Sequence, residues 1–461
     1  MPRSDLQSFG ETSEGVLPSS APPLGSFKTV VPAVIDLLSM TLIITLDGII
    51  LGHYSSSALA GGGIALYVLF FMFTIFLTFV IGAAVPIARL LGANDRVGAS
   101  ILFGKALSTA LIFGVAFAAI AFSFKGFIFK TIFGTTGEIL RSADGYFSML
   151  ALFMPFIALN FTGTGILRSI GDSSSSMKIN LTANLIHASL AVLFVYGHEA
   201  LGIPAMGALG AALALGIAQT IGFAIQLRFL LGKRTLVELR LRDMLKPQAS
   251  LIKQIIKTGF PVTMEQLIWM GGQLVLIAFI SRIGYRELAA HQIVVRLSQT
   301  LGVIYQGYAF ANMALCGHRI GACDERAVVK IARKMRALSV STGFLVGLGI
   351  LFLKNPIARL FTSDPSVIVL FLQLAPLLAM LQVPKSLTMI TSSELRARGD
   401  LVFILIVCMI TVPLDIMGLS AVFVFAFGWG IAGIWLAHII DEIVRIIIHL
   451  RRLSRKITKI I

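Results

Sequence analysis

Charged residues are scarce in this chain, which excludes an ordinary soluble domain. Asp, Glu, Lys and Arg make up 13% of the 461 residues, about half of the roughly 25% that soluble proteins carry. Hydrophobic residues account for 57% and fall in long runs along the sequence, the pattern of a protein that crosses a membrane many times. Most lysines and arginines lie in short loops between these runs, so the net charge of +16 does not indicate a nucleic-acid surface.

Cysteine is also scarce, and the motifs of common enzymes are missing. Cys316, Cys323 and Cys408 form neither a CxxC motif nor a plausible disulfide framework. The sequence contains no GxxxxGK(S/T), HExxH or GxSxG motif and no zinc-ligand spacing. It also contains no soluble domain that would hydrolyse ATP. We therefore expect no enzymatic activity and no cofactor.

The apolar runs predict an all-α membrane protein with about twelve transmembrane helices. Only helices and closed barrels satisfy the backbone in lipid, and the alternating ten-residue segments of a barrel are absent. Lysine and arginine, among them Arg168 and Arg396, concentrate in the even-numbered loops and at the C-terminus, which predicts that both termini are cytoplasmic. The predicted segments are a disordered tail at 1–27, a six-helix lobe at 28–231, a basic linker at 232–252, a second six-helix lobe at 253–450 and a basic tail at 451–461.

The two predicted lobes repeat one another in sequence. Pro32 aligns with Pro261, an offset of 261 − 32 = 229 residues, and 91–95 aligns with 320–324 at the same offset. Because each repeat holds an even number of spans, both have the same orientation in the membrane. We therefore expect a pseudo-twofold axis along the membrane normal. A further aligned pair, at an offset of 228, is 167–172 with 395–400.

The first predicted helix holds two acidic residues in an otherwise apolar span. An ionised Asp at the centre of such a helix costs roughly 2.5–3.5 kcal/mol on insertion scales. Asp36 and Asp47 are 47 − 36 = 11 residues apart, and about 100° per residue brings them to nearly the same face. We expect this acidic stripe to face a cavity rather than lipid.

Polar residues of the fifth predicted helix form a second candidate group. Asn180, Asn184 and His187 share one helix face by their three-and-four spacing. They either complete an ion-binding site with Asp47 or act only as hydrogen-bonding contacts between helices.

The second lobe carries a comparable group of polar residues. Glu265 aligns with Asp36 at the offset of 229, and each acid lies four residues after its proline. We expect these two acids and their polar neighbours to bind substrate, with a merely solvated position near the interface as the alternative for the acids. The second-lobe candidates are Glu265, Gln266, Gln273, His291, Gln292 and Arg296.

Several motifs in this order resemble the multidrug and toxic compound extrusion (MATE) family of bacterial transporters. The resemblance covers nearly the whole chain after residue 27. The motifs that carry it are DGIILGH at 47–53, GILRSIGD at 165–172, GFPVTMEQ at 259–266, ELAAHQI at 287–293, GHRIGA at 317–322 and GIW at 433–435.

The resemblance implies two lobes around a central cleft and export of organic cations or other toxic small molecules. It also implies an inward flow of H⁺ or Na⁺ as the driving force, with the family's coupling carboxylate falling on Asp47. Asp47 would be a metal ligand if the coupling ion is Na⁺. One branch of the family has a second acid at the position of Trp269, so the coupling ion stays open.

Two functions of one superfamily follow from these features. The first is a secondary active antiporter that works by alternating access, expected as a monomer in a bacterial inner membrane. The alternative is a flippase for lipid-linked oligosaccharides or polysaccharide precursors, which favours a strongly cationic cleft. Only Arg296 and Lys385 are clear basic candidates inside the predicted spans, so the sequence favours the antiporter.

Overall fold

The computed structural model describes residues 26–232, 235–239 and 248–458, and within them the chain forms twelve long helices. The predicted tail up to residue 25, residues 233–234 and 240–247 of the predicted linker and the last three residues lie outside this part. In chain order the helices are α1 Ser26–Tyr54, α2 Ser56–Gly92, α3 Arg96–Gly126, α4 Gly137–Ser169, α5 Ser173–Tyr196, α6 Ala208–Leu231, α7 Ala249–Ser281, α8 Tyr285–Gly321, α9 Glu325–Phe361, α10 Pro365–Ala397, α11 Leu401–Pro413 and α12 Gly430–Thr458. Shorter elements are π-helical segments at Phe127–Ile132, Leu414–Leu419 and Val422–Ala426 and a 3-10 turn at Glu199–Leu201.

The prediction of an all-α protein with twelve helices is confirmed. Ten of the described helices are long and apolar enough to cross a membrane by length and composition. The other two are α8, which is rich in polar residues, and α12, which carries Asp441, Glu442 and Arg445 near its middle. The helix α12 also continues past the predicted lobe boundary at residue 450 to Thr458.

The helices pack as two lobes with matching contacts. In the N-lobe (α1–α6), α4 lies against α2, α3 and α6, and α1 lies against α5. In the C-lobe (α7–α12), α10 lies against α8, α9 and α12, and α7 lies against α11. The lobes meet where α1 contacts α8 and where α2 contacts α7 and α8.

The repeated loop motif forms the same turn in both lobes. Asn94 and Cys323 occupy equivalent positions and both adopt left-handed backbone angles, with φ of 62° and 56°. The next residue caps the following helix in each lobe: Asp95 accepts from the N–H of Gly98 at 2.8 Å, and Asp324 accepts from that of Ala327 at 3.0 Å. Such caps satisfy N–H groups that a helix start leaves unpaired. The structural repeat therefore includes the backbone φ angle of a single residue in this turn.

One end of the lobe boundary is closed by a symmetric contact between helix ends. Arg89 at the end of α2 donates from Nη2 to the carbonyl of Ala397 at 2.8 Å. His318, its counterpart at the end of α8, donates from Nε2 to the carbonyl of Ile170 at 2.9 Å. Each hydrogen bond crosses from one lobe to the other, so both helix ends are held across the boundary.

Two glycines permit this close approach. A Cβ added at Gly92 would overlap the backbone carbonyl of His318, and one added at Gly321 would overlap that of Arg89. Gly92 and Gly321 are themselves equivalent in the repeat. We refer to Arg89, Gly92, His318 and Gly321 with their partners as the helix-end contact.

Candidate functional site

Asp36 is fully buried between α1, α4 and α5 and is held by three polar partners. Its carboxylate accepts from Ser176 Oγ at 2.6 Å and from Asn180 Nδ2 at 2.8 Å. Arg168 Nη1 lies 3.2 Å from its Oδ2, so the negative charge is paired inside the N-lobe. The sequence had placed Arg168 in a loop as a topology signal, and the structure instead buries it to 4% exposure.

Asp47 is also buried, and its partner is a histidine. His187 Nε2 lies 2.8 Å from Asp47 Oδ1, and the two side chains are 1% and 5% exposed. The other ring nitrogen of His187, Nδ1, is buried and has no hydrogen-bond partner among the described residues. Asp47 and His187 therefore form an isolated carboxylate–imidazole pair within the N-lobe.

The predicted ion site is rearranged in the structure. Asn180 contacts Asp36 rather than Asp47, and Asn184 donates from Nδ2 to Ser39 Oγ at 3.1 Å. Of the three polar residues on this face of α5, His187 is the one that contacts Asp47. The acidic stripe of α1 thus faces α5 and not the cavity described below. The reason is that α5 places a polar side chain beside each acid, Asn180 beside Asp36 and His187 beside Asp47. The coupling role of Asp47, Asn180 and Asn184 stays a prediction.

Glu265 forms an ion pair that repeats the one in the N-lobe. Arg396 Nη2 donates to its two carboxylate oxygens at 3.0 and 2.8 Å. Arg396 is the counterpart of Arg168 in the repeat, just as Glu265 is the counterpart of Asp36. The sequence contained a signal for both ion pairs, because the two acids align with each other and the two arginines align with each other. The charge pattern nevertheless assigned both arginines to loops. The C-lobe pair is more open, with side chains 22% and 25% exposed.

A cavity of about 500 Å³ lies in the C-lobe and is bordered by α2. Of the predicted substrate residues, Glu265, Gln266 and Gln273 line it. Polar and aromatic residues that also line it are Trp269, Ser298, Gln299, Gln306, Phe310, Lys385, Thr388, Ser392, Ser393, Arg396, Asp415, Trp435, His438, Asp441, Glu442, Arg445 and His449.

Four predicted substrate residues lie outside this lining. Asp36 is enclosed in the N-lobe. His291 is fully buried, and its ring centroid lies 5.4 Å from that of Trp435. The residues of α8 that face the cavity begin at Val295. Arg296 follows it along the helix, points about 100° away from Val295 and is exposed. Gln292 is half-buried on the turn before this stripe.

The cavity carries more charge than the sequence suggested, but most of it is paired. Asp441 and Arg445, four residues apart on one face of α12, form an ion pair at 2.8 Å between Oδ2 and Nη2. Asp415 accepts from His438 Nδ1. Lys385 donates from Nζ to Ser298 Oγ at 2.8 Å.

The sequence profile of the MatE family matches residues 32–193 and 261–437, so each match begins at one of the two aligned prolines. The chain belongs to the MatE family. The expectation drawn from the motifs is confirmed, and the family is one of transporters rather than enzymes.

Full-length relatives support this assignment. The chain is 25% identical over 418 residues to the probable multidrug resistance protein NorM of Thermotoga maritima, covering 91% of this chain and 89% of that protein. It is 24% identical over 413 residues to the uncharacterized transporter YisQ of Bacillus subtilis, covering 89% and 90%.

Solved structures show the same fold. One, described as the outward-facing conformation of a multidrug resistance MATE family transporter of the MOP superfamily, has a TM-score of 0.86 at 23% identity, covering 98% of this chain and 99% of that one. Another is a MOP superfamily transporter from Pyrococcus furiosus whose binding pocket is described as having reverse polarity. Its TM-score is 0.85 at 22% identity, and the match covers 98% and 99% of the two chains.

Proposed function

We propose that this MatE-family chain is a secondary active antiporter that exports cationic, amphipathic small molecules in exchange for protons. The observation that carries the proposal is the presence of two separate polar sites, the buried Asp47–His187 pair and the C-lobe cavity. An antiporter of two rigid lobes needs a site for the driving ion and a site for the substrate. The relatives named as multidrug resistance proteins support an export function.

The partner of Asp47 favours H⁺ over Na⁺ as the coupling ion. Hard cations such as Ca²⁺ and Mg²⁺ take oxygen ligands, and we expect the same of Na⁺. The group next to Asp47 is an imidazole nitrogen, while the amide of Asn180 is engaged by Asp36. Imidazole takes up and releases a proton near neutral pH. The residues around Asp47 therefore suit a proton better than a sodium ion.

The cavity suits a flat cation with apolar surface. Its volume of about 500 Å³ falls within the roughly 300–1,000 Å³ of small-molecule sites. Aromatic walls from Trp269, Phe310 and Trp435 offer cation–π contact. Glu442 also lines the cavity, and its Oε2 has no hydrogen-bond partner in the described structure, which leaves a carboxylate to attract positive charge.

Transport by alternating access requires the helix-end contact to open. The hydrogen bonds of Arg89 and His318 join the lobes at the ends of α2 and α8, which the distribution of lysine and arginine places on the cytoplasmic side. In this orientation both termini are cytoplasmic. We expect a monomer in the inner membrane of a bacterium.

A flippase is less well supported by the charges of the cavity. Recognition of a pyrophosphate needs cationic groups that are free to bind it. Arg396 and Arg445 each pair with a carboxylate, Glu265 and Asp441 respectively. The cavity therefore lacks the strong excess of positive charge that such a headgroup requires.

The proposal is tested by efflux of ethidium from proteoliposomes under an imposed proton gradient or an imposed Na⁺ gradient. We compare the wild type with Asp47→Asn and with the control Asp144→Asn, a 37%-exposed acid paired with Lys125. We expect proton-driven efflux that Asp47→Asn abolishes and Asp144→Asn retains. Efflux driven by Na⁺ alone would reverse the assignment of the ion. A folded wild type without efflux under either gradient would reject the antiporter.

A further inference from the structure

Asp415 occupies a distorted stretch of helix at the cavity wall. The π-helical segment Leu414–Leu419 begins directly after Pro413, and such segments often occur at functional sites. The side chain of Asp415 is 6% exposed and lines the cavity. Its Oδ2 accepts from His438 Nδ1, while its buried Oδ1 has no hydrogen-bond partner in the described part of the chain. One oxygen of this carboxylate therefore lacks a hydrogen-bond donor among the described residues, so its negative charge is only partly compensated.

The pair of Asp415 with His438 is a counterpart of the pair in the N-lobe. Asp415 and His187 occupy equivalent positions of the repeat, 415 − 187 = 228 residues apart. In the N-lobe this position supplies the imidazole and α1 supplies the carboxylate. In the C-lobe the same position supplies the carboxylate and α12 supplies the imidazole. Both lobes thus hold a carboxylate–imidazole pair, but Asp47 and His187 are enclosed whereas Asp415 and His438 line the cavity.

Other charged groups surround this pair in the wall of the same cavity. Glu265 on α7 and Asp441 on α12 are each paired with an arginine, which does not lose its proton. Lys385 on α10 and Glu442 on α12 line the same cavity. His291 on α8 lies behind Trp435, buried away from the cavity lining. Among the carboxylates paired in this wall, that of Asp415 has an imidazole as its partner, a group that can gain and lose a proton.

The charge of the pair changes with a single proton. Nδ1 of His438 donates to Asp415, so an added proton resides on Nε2 and gives an imidazolium beside a carboxylate, with no net charge. When Nε2 releases this proton to water in the cavity, the imidazole becomes neutral and the pair carries one negative charge. A cation in the cavity beside this pair is attracted to the negative charge of the second state and repelled by the imidazolium of the first.

We propose that Asp415 and His438 form a second proton-binding site, in the cavity wall of the C-lobe, whose proton is released when a cationic substrate binds. This inference rests on the proposed antiport and adds a site at which substrate and proton compete directly. The Asp47–His187 pair then responds to the proton gradient from within the N-lobe. The competition between proton and substrate at the cavity follows from the charge of one pair, whereas transport across the membrane still requires the helix-end contact to open.

The test measures the protons released when tetraphenylphosphonium binds the purified full-length protein. Calorimetric titrations in buffers of different ionisation enthalpy at one pH give this number, and the series is repeated from pH 5.5 to 8.5. For the wild type we expect up to one proton released and, at the acid end, a Kd that rises about tenfold for each unit decrease in pH. His438→Gln keeps a donor for Asp415 and cannot titrate there, so we expect binding without proton release and a Kd that no longer depends on pH. Asp415→Asn is expected to weaken binding and also to lose its pH dependence.

Two controls separate this inference from a general disturbance of the cavity. His449→Gln removes another imidazole of the lining, one that contacts Thr391 rather than a carboxylate, and should keep the wild-type pH dependence. Thermal melting in detergent confirms that each variant is folded. Unchanged proton release in folded His438→Gln overturns the second site while leaving the antiporter intact. Proton-linked binding of tetraphenylphosphonium without gradient-driven efflux rejects the antiporter but keeps the second proton-binding site. A wild type that does not bind tetraphenylphosphonium refutes both proposals.

Discussion

Truncation of Arg168 should expose how much the N-lobe depends on one buried ion pair. Arg168→Ala leaves the carboxylate of Asp36 fully enclosed with Ser176 and Asn180 as its remaining donors. Removing one partner of a buried pair costs about 3–5 kcal/mol, because the other charge stays buried and unpaired. We expect a loss of this size in the free energy of unfolding.

The equivalent pair in the C-lobe provides a matched control. Glu265 and Arg396 are 22% and 25% exposed, against 0% and 5% for Asp36 and Arg168. Water screens the C-lobe pair, so Arg396→Ala should cost only about 1 kcal/mol. The two variants remove the same side chain from equivalent positions that differ strongly in burial, and Arg168 additionally lies over the ring of Phe310.

The assay is unfolding by dodecyl sulfate in mixed micelles at pH 7, followed by circular dichroism. The double variant Asp36→Asn/Arg168→Met tests the cause, because removing both charges together should restore most of the lost stability. Equal losses for Arg168→Ala and Arg396→Ala would refute the reasoning, since burial would then not govern the cost. Failure of the double variant to recover would show that packing of the arginine stem, and not its charge, is the larger contribution.

Three further predictions follow from the helix ends and loops. Gly92→Val places a side chain against the carbonyl of His318 and should separate the ends of α2 and α8, seen as faster maleimide labelling of the buried Cys316; an unchanged rate would contradict a closing role. Cys323 is exposed in the loop before α9, so a membrane-impermeant maleimide should label it in inside-out vesicles and not in intact cells, and the opposite result would invert the topology. Asp95→Ala removes the cap of α3 and should cost about 1 kcal/mol, measured by thermal melting beside Asp95→Asn, which keeps a capping oxygen and most of the stability.

The fold could be predicted because it is determined by apolar runs within each helix and by the repeat between the two halves of the sequence. Long apolar runs specify spanning helices whatever their neighbours are. The repeat then relates the two halves, down to the turns at Asn94 and Cys323. The pairing of Asp441 with Arg445 was also predictable, since residues four apart share a helix face. These features need no knowledge of which helices pack together.

The site was harder to predict because its partners come from different helices. Asp47 contacts His187 and Asp36 contacts Asn180, although both polar residues lie on one face of α5, so spacing alone does not assign the partners. Arg168 and Arg396 near helix ends were taken for loop residues, because charge near a predicted boundary usually marks topology. Their alignment with each other, together with that of Asp36 and Glu265, was the available signal for two ion pairs.

The symmetry of the helix-end contact bears on how tightly transport is coupled. Each lobe provides one donor side chain and one acceptor carbonyl, from Arg89 and Ile170 on one side and from His318 and Ala397 on the other. A rotation that separates the lobes at this end therefore strains both bonds together, and neither lobe retains a closed half on its own. Under the proposed antiport, both bonds open or close together, which limits the half-open states through which the driving ion could leak and conserves the electrochemical energy stored across the membrane.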